Sequence, residues 1–387
     1  MSHPPVRVLF VTTSFPLYED HWSGVFIAVQ ARALVKLGCQ VTVLAPHFAG
    51  APTHEQQGSL EVYRFRYLPP AWEKVAYGGG IPANLAADQS LWAAIPAFAG
   101  GLAWSLSRLI SQADIIHAHW SFSGVVAAGL SAARKRPMIV SFHGSDLAGR
   151  MARAAIWAAH AAKAVVVHSS EMRQRALIAG VEERKIILLP HGVEIEAFSQ
   201  APGNLDMPRI LAVGRLSQEK GFDVLLQAVA EFPPDVQWKL DLIGEGPESG
   251  ALSGWSKAHG LEQKINFLGP LPHSQVCQRM SKADLLVIPS RREGFGVTLL
   301  EGMASALPIV GTRVGAMPEI IVEGETGRLV HPENPRLLSQ ALMRMLVNPE
   351  SRRAMGLRGR RAVEEKFSAT AVNRPLAQLY GDLLVRP

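Results

Sequence analysis

Two glutamates eight residues apart, Glu293 and Glu301, are the most chemically informative feature of this 387-residue sequence. Glu293 lies on a glycine-containing loop that follows a predicted buried strand (283–290). Glu301 lies about one turn inside the helix predicted to begin at Val297. In an open parallel α/β sheet, such loops line the crevice where ligands bind, and a helix start offers unpaired N–H groups. The pattern predicts a carboxylate-lined site for a ligand that carries a phosphate.

A second predicted strand-to-helix loop carries two cations, Arg215 and Lys220. It follows strand-like residues 209–213 and precedes a helix predicted from Phe222. Arginine can hold a phosphate through two parallel hydrogen bonds, and lysine acts on it as a point charge. This loop is therefore a second candidate contributor to a phosphate site.

Together these segments resemble the G-R-L-x-x-x-K-G and Glu-x7-Glu elements of the retaining GT-B glycosyltransferases of family 4. The elements occur in the family's order, with Glu293 73 residues after Lys220. Residues 31–46 resemble members that build bacterial surface polysaccharide. The resemblance runs through nearly the whole chain. It implies transfer of a sugar from a nucleotide-sugar donor to a glycan or lipid-linked glycan acceptor, with retention of the anomeric configuration.

The resemblance also implies a role for each matching residue. Arg215 and Lys220 bind the diphosphate, Glu301 accepts hydrogen bonds from the ribose, and Glu293 contacts hydroxyls of the donor sugar. The residues predicted to act in catalysis are His143, Glu293, Arg215 and Lys220. The residues predicted to bind the donor are Gly24, Arg215, Lys220, Glu293, Gly294, Phe295, Gly296, Val297 and Glu301.

In the first half of the chain, residues 141–146 (SFHGSD) resemble the family's F-H-G-x-D segment. The match places His143 beside the donor sugar, whereas Asp146 either joins the site or caps the next helix. Gly24 matches the loop whose glycine lets the family approach the donor phosphate or the acceptor, although many members have two glycines there.

Other histidines have less specific patterns. His117 and His119 form an H-x-H pair that needs a third ligand to hold a metal, so a structural or acceptor-facing role is favoured. His191 stands where the family has asparagine in its N-G-V segment, and its predicted role is structural. No D-x-D triplet occurs. The sequence therefore predicts that cations and helix N-termini, with no metal and no cofactor, stabilise the departing diphosphate.

Two other functions share this fold. A sugar-nucleotide epimerase would bind the same donor without an acceptor groove, and a non-catalytic subunit would bind the nucleotide or glycan without turnover. Incubation with a panel of nucleotide sugars distinguishes hydrolysis, epimerisation and transfer.

The composition of the chain limits the classes of ligand and the cellular locations that suit it. The net charge of +6 and pI of about 9.4 suit an anionic ligand or an anionic membrane surface, and no nucleic-acid-binding pattern is present. Two cysteines without a motif favour a reducing, cytoplasmic location. The uncharged segment 89–107 leaves three alternatives open: a helix packed in the first domain with its tryptophans lining core or cleft, a face touching the inner membrane surface or a lipid-linked acceptor, or a span.

Alternating strand and helix patterns predict an α/β protein with two Rossmann-like domains facing across a cleft. The predicted domains are an acceptor-side domain over 1–198, a linker over 199–208, a nucleotide-sugar-binding domain over 209–365, and a C-terminal helix over 366–387 that packs on the first domain.

Overall fold

The computed structural model describes residues 4–18, 20–144, 146–147, 151–199 and 207–385. The chain divides into two compact units. The first unit runs to Gly192 and includes the tail from Ala369, and the second unit is Val193–Ser368. Most of the predicted linker, residues 200–206, lies outside the described residues.

The first unit is built on an eight-stranded sheet. Its strands are β1 (Arg7–Val11), β2 (Gln40–Pro46), β3 (His54–Gln57), β4 (Leu60–Phe65), β5 (Ile115–His119), β6 (Met138–Ser141), β7 (Ala164–Val167) and β8 (Ile186–Leu188). They are arranged in the order β3-β4-β2-β1-β5-β6-β7-β8, and every pair is parallel except β3 with β4. The sequence pattern did not predict β3, because its polar run His-Glu-Gln-Gln has no buried face.

Seven α-helices belong to the described part of this unit. They are α1 (Val25–Lys36), α2 (Ile81–Ala87), α3 (Ile95–Leu109), α4 (Ser121–Ala133), α5 (Met151–Ala161), α6 (Ser170–Ile178) and, from the tail, α14 (Ala369–Val385). The sheet packs between helices, so β5 and β7 are buried along their whole length; β7 is apolar throughout, whereas β5 also carries His117 and His119.

The second unit contains a six-stranded parallel sheet. Its elements are β9 (Arg209–Val213), α7 (Phe222–Ala230), β10 (Lys239–Ile243), α8 (Ser249–Ala258), β11 (Ile265–Gly269), α9 (His273–Met280), β12 (Leu285–Ile288), α10 (Val297–Ala304), β13 (Ile309–Thr312), α11 (Met317–Ile320), β14 (Gly327–Val330), α12 (Pro335–Leu346) and α13 (Pro349–Lys366). The strand order β11-β10-β9-β12-β13-β14 is that of a Rossmann sheet. The predicted class, α/β with two Rossmann-like sheets, is confirmed.

Residues 193–198 join the second unit, whereas the predicted boundary placed them in the first. Val193 donates its backbone N–H to Phe367 O, and Phe198 is buried in the second unit's core. This short segment therefore returns to the end of α13.

Helix α14 packs on the first unit, as the resemblance implied. It contacts α1, where Gln30 donates a buried hydrogen bond to Asn373 at 3.0 Å. The Tyr380 hydroxyl lies 2.5 Å from His117 Nδ1, and His117 Nε2 lies 2.7 Å from the Ser141 hydroxyl. The tail is thus fixed to the sheet through a buried polar chain as well as by apolar packing.

Residues 89–112 form a mostly helical stretch that is long and apolar enough to cross a membrane, but only 22% of its most apolar window is buried. Phe98, Leu102 and Leu106 pack in the core of the first unit. Trp92 and Trp104 are 56% and 63% exposed, so the tryptophans do not line the core. One face of this helix is therefore structural, and the other presents aromatic side chains to the surroundings.

Acid should destabilise the first unit through His117, because burial lowers the pKa of this histidine to about 3. In the unfolded chain, histidine has a pKa near 6.5. The contribution of neutral His117 to the free energy of unfolding is therefore complete above about pH 6.5, and it is lost as the pH falls from the unfolded pKa towards the folded one. At pH 5 the loss is about 2 kcal/mol. The loss can be measured as the difference in the free energy of unfolding by urea between pH 7 and pH 5, with hydrogen exchange in β5 and α14 as the readout.

His117→Gln should reduce, by a similar amount, the difference in the free energy of unfolding between pH 7 and pH 5. His54→Gln is the matched control, because His54 is exposed and stacks on Tyr63. An unchanged pH dependence in His117→Gln would contradict the assignment.

Candidate active site

The predicted residues of the second unit lie at the point where its strand order reverses, between β9 and β12. The β9–α7 loop carries Arg215 and Lys220, and the β12–α10 loop carries Glu293. In a doubly wound sheet the two central loops diverge to opposite faces and leave a crevice between them, which is the usual ligand site. Sequence reasoning therefore placed these residues at the correct edge of the sheet.

A glycine brings the two loops together. Gly221 has φ +66°, and a Cβ there would lie 2.2 Å from the backbone oxygen of Pro289. Two residues earlier, Glu219 O accepts hydrogen bonds from the backbone N–H groups of Arg291 and Arg292, at 2.8 and 3.2 Å. Because only glycine fits this conformation at this distance, Gly221 sets the separation between the loops.

Lys220 and Glu293 form an ion pair at this junction. Lys220 Nζ lies 2.7 Å from Glu293 Oε2, and the Ser290 hydroxyl donates to the same oxygen at 3.2 Å. Both charged side chains are partly buried. The cation and the carboxylate are thus held in place by each other and by the loop, within reach of a shared ligand.

Helix α10 begins immediately after the Gly294-Phe295-Gly296 loop. Gly296 is its N-cap in the left-handed conformation, and, within the described part of the chain, this N-cap makes no side-chain cap hydrogen bond. Phe295 is buried in the core of the second unit, which anchors the loop. The start of α10 therefore presents backbone N–H groups and a positive dipole end beside the Lys220–Glu293 pair.

Glu301 lies on α10 and is buried, with Oε1 2.9 Å from Nε2 of His273, the first residue of α9. The sequence analysis did not identify His273. A proline before a polar helix start gave no sign that this histidine would meet a carboxylate 28 residues later, because only the tertiary fold brings α9 to α10.

In the first unit, the predicted Gly24 loop follows β1, next to the corresponding reversal between β1 and β5. Gly24 has φ +70°, and a Cβ there would lie 2.8 Å from Ser14 O. The hydroxyls of Ser14 and Ser23 are 2.7 Å apart. Buried Arg64 donates to Pro16 O at 2.7 Å. The loop is therefore closely packed and tied to the sheet, and Arg64 is a second positioning residue that the sequence analysis missed.

His143 follows β6 and is buried, and its backbone N–H donates to Asp146 Oδ2 at 2.7 Å. Asp146 Oδ1 accepts from the N–H of Ser121, the first residue of α4, at 2.7 Å. Asp146 thus connects the β6 loop to the preceding helix α4. Burial raises the pKa of Asp146 to about 6. The His143 ring centroid lies 4.6 Å from that of Trp120 and 5.0 Å from that of Phe26.

Three further histidines stack near His143 at the carboxyl ends of neighbouring strands: His119, His168 and His191. His117, in the middle of β5, stacks in turn on His119. Burial lowers the pKa of all five imidazoles below the ordinary range for histidine, so they are neutral at physiological pH. The sequence analysis treated His117 and His119 as a pair and His143 and His191 singly, gave His168 no role, and predicted no cluster.

The predicted residues are divided between the two units, and the contacts described above join Lys220 to Glu293. Gly24 and His143 belong to the first unit, where Phe26, two residues after Gly24, contacts the His143 ring. Arg215, Lys220, residues 293–297 and Glu301 belong to the second. Each group lies beyond the carboxyl ends of parallel strands, as expected for ligand binding.

Two family models match this chain. Residues 23–197 match the model described as Glycosyltransferase Family 4, and residues 194–362 match Glycosyl transferases group 1. Together the two matches include both groups of predicted site residues.

Similar proteins carry related descriptions. A D-inositol 3-phosphate glycosyltransferase of Corynebacterium glutamicum is 30% identical over 75% of this chain and 77% of its own length. A putative teichuronic acid biosynthesis glycosyltransferase, TuaC of Bacillus subtilis, is 27% identical over 88% of this chain and 89% of its own. The crystal structure of Anabaena HepE in complex with UDP-glucose matches with a TM-score of 0.76 and 19% identity, covering 97% of this chain and 99% of that one.

Gly221→Ala should destabilise the second unit and displace the β9–α7 loop, because the added methyl group would collide with Pro289 O. Gly260→Ala is the matched control: Gly260 has φ +68° and nothing within 4 Å of the added Cβ. Both substitutions incur the strain of a positive φ, about 1 kcal/mol, but only Gly221→Ala adds a collision. Urea unfolding should show the larger loss in Gly221→Ala, and equal losses would contradict the close approach.

Proposed function

Because this chain belongs to glycosyltransferase family 4, we propose that it transfers a sugar from a nucleotide-sugar donor to a glycan or lipid-linked glycan acceptor, with retention and without a metal ion. The observation that carries the proposal is the junction of the β9–α7 and β12–α10 loops. There Lys220, Glu293 and the uncapped start of α10 lie together beyond the sheet. Family membership favours transfer over epimerisation or binding alone.

The donor's diphosphate gains negative charge as the sugar leaves. Lys220 and Arg215 supply positive charge, and the first N–H groups of α10 supply fixed dipoles, so their stabilisation of the leaving group needs no rearrangement at the moment of reaction. The Lys220–Glu293 ion pair is then shared with the donor: the ammonium group turns to the phosphate while the carboxylate accepts hydrogen bonds from the sugar hydroxyls.

The remaining residues hold the two ends of the donor. Glu301, oriented by His273, accepts hydrogen bonds from the ribose. His143 contacts the sugar near the reacting carbon, and the Gly24 loop approaches the phosphate or the acceptor. In this proposal the acceptor attacks on the face that the diphosphate leaves, through an oxocarbenium-like state, and the leaving phosphate takes the acceptor's proton.

The relatives suggest the first substrates to test. A UDP-linked sugar is the first donor to test, because the HepE structure holds UDP-glucose. Relatives described for inositol phosphate and teichuronic acid make polyols and surface-polymer precursors the first acceptors. A panel of nucleotide sugars incubated with these acceptors, with products identified by mass spectrometry, tests the proposal. Epimerised donor without transfer would overturn it.

We also place the reaction in the cytoplasm, at the inner face of the membrane. Trp92 and Trp104 are exposed on the apolar segment 89–112, and the Arg108 guanidinium lies 4.8 Å from the Trp104 ring centroid. Exposed tryptophan beside arginine suits the interface of an anionic bilayer, where a lipid-linked acceptor would lie.

Glu293→Gln and Glu301→Gln should have different effects. Glu293→Gln should lower transfer by one to three orders of magnitude, about 1.4–4 kcal/mol of transition-state stabilisation. It should leave UDP binding normal or tighter, because Lys220 is released from its ion pair. Glu301→Gln should weaken UDP binding by about 10- to 150-fold, since a charged hydrogen bond to the ribose is lost. Calorimetry with UDP and initial rates with the full donor separate the two, and exchanged effects would contradict the roles.

Transfer should persist in excess EDTA, and NMR of the product should show the donor's anomeric configuration. The reason is that protein cations and helix N–H groups meet the charge on the leaving diphosphate. This account of the chemistry would be wrong if EDTA abolished transfer and added metal restored it, or if the product had the inverted anomeric configuration.

Trp92→Ser combined with Trp104→Ser should reduce sedimentation with vesicles that contain phosphatidylglycerol, without changing the melting temperature, because both side chains are exposed. Trp157→Ser is the control, since Trp157 is 52% exposed on α5. Equal vesicle binding by the double variant and the control would remove segment 89–112 from the membrane contact.

A further inference from the structure

Three histidines of the first unit stand at the ends of three adjacent parallel strands. His143 follows β6, His168 follows β7, and His191 lies three residues after β8. Because the carboxyl ends of neighbouring parallel strands meet at one edge, the side chains converge. Each offers a ring nitrogen, and these three atoms lie within 4.8 Å of one another. All three side chains are buried.

The hydrogen bond of His168 fixes which of its nitrogens carries the proton. Its Nδ1 lies 2.8 Å from Leu189 O, and a carbonyl oxygen can only accept, so Nδ1–H donates. Nε2 then carries a lone pair, yet it is buried and has no hydrogen-bond partner among the residues that the structure describes. A histidine that donates one ring N–H to a backbone carbonyl and keeps the other nitrogen bare is in the form that binds a metal. A buried, unpaired acceptor of this kind is otherwise costly.

The other two imidazoles are held by their backbones. His143 donates its backbone N–H to Asp146, as described above. Gly192, next to His191, is so close to α14 that an added Cβ would lie 2.6 Å from Ala369 Cα. The rings of His143, His168 and His191 are nearly parallel, with interplanar angles of 7° to 22°. These two contacts of the fold fix the backbone positions of His143 and His191, and the directions of the rings are set by their side-chain torsions.

We propose that His143, His168 and His191 bind a first-row transition-metal ion of the Zn²⁺ type. Tetrahedral Zn–N bonds of about 2.0–2.1 Å place ligand nitrogens roughly 3.3 Å apart, so the three rings close on the ion by rotating about their side-chain bonds. Three nitrogens without a carboxylate suit zinc, nickel or copper and not magnesium or calcium. Both oxygens of nearby Asp146 already accept backbone hydrogen bonds. The fourth position of the ion is left to water.

The ion is an inhibitor of transfer in this proposal and not a cofactor. It occupies a ring nitrogen of His143, the residue that contacts the donor sugar in the proposed function. Zinc should therefore compete with transfer, and a chelator should restore it. This consequence depends on the proposed function, whereas binding of the ion depends only on the histidine cluster.

The binding test uses the full-length chain without a histidine tag, stripped of metal and titrated with Zn²⁺ against a chromophoric zinc indicator. We expect one equivalent bound with micromolar or tighter affinity, and a visible absorption band typical of tetrahedral coordination when Co²⁺ replaces zinc. His168→Ala and His191→Asn should each weaken binding by at least about 100-fold, because even the loss of an outer partner of a ligand costs about 10- to 100-fold.

His54→Ala is the control, since His54 is exposed and distant in the sheet order, on β3. If the unaltered protein does not bind zinc, the proposed site is wrong, and this result does not depend on whether any variant folds. Equal affinity in His168→Ala, His191→Asn and His54→Ala would place the ion elsewhere and also overturn it. Binding at the cluster with unchanged transfer would overturn the inhibition and, with it, the role of His143 at the donor sugar.

Discussion

The close approach of two loops in the second unit is the constraint on which its site depends. Gly221 lies against Pro289, and Glu219 O accepts two backbone hydrogen bonds from the β12–α10 loop. With that spacing fixed, Lys220 and Glu293 lie 2.7 Å apart beside the start of α10. A side chain at position 221 would separate the two loops, and the cation, the carboxylate and the helix dipole would no longer face one ligand.

In the first unit the same geometry produces a different chemical surface. The ends of its strands carry imidazoles and aromatic rings in place of charges, and α14 covers their flank through the Tyr380–His117 hydrogen bond. Burial keeps the imidazoles neutral, so this unit offers hydrogen bonds and lone pairs while the second unit offers charge. The two units therefore differ in the chemistry that each can offer to a ligand.

Much of the fold and part of the site could be predicted from local patterns. Apolar runs bounded by glycine and proline indicated nearly all strands, and two charged loop motifs indicated the candidate site of the second unit. The polar strand β3 had no such signal, because it is held by pairing with β4 and not by burial. In segment 89–112 the apolar signal was strong, but it did not show which face of the helix would be buried. Phe98 lies on the packed face and Trp104 on the exposed face.

The class of the fold, the family and the loops that carry charge could all be predicted from the amino-acid sequence, because they depend on local periodicity and on motifs within one loop. Which side chains meet depends on the three-dimensional fold. His273 reaches Glu301, Arg64 holds the Gly24 loop, and His168 and His191 join His143 at one edge of a sheet. These residues are far apart along the chain, and the physical reason for their meeting is that parallel strands bring all their carboxyl ends to the same edge.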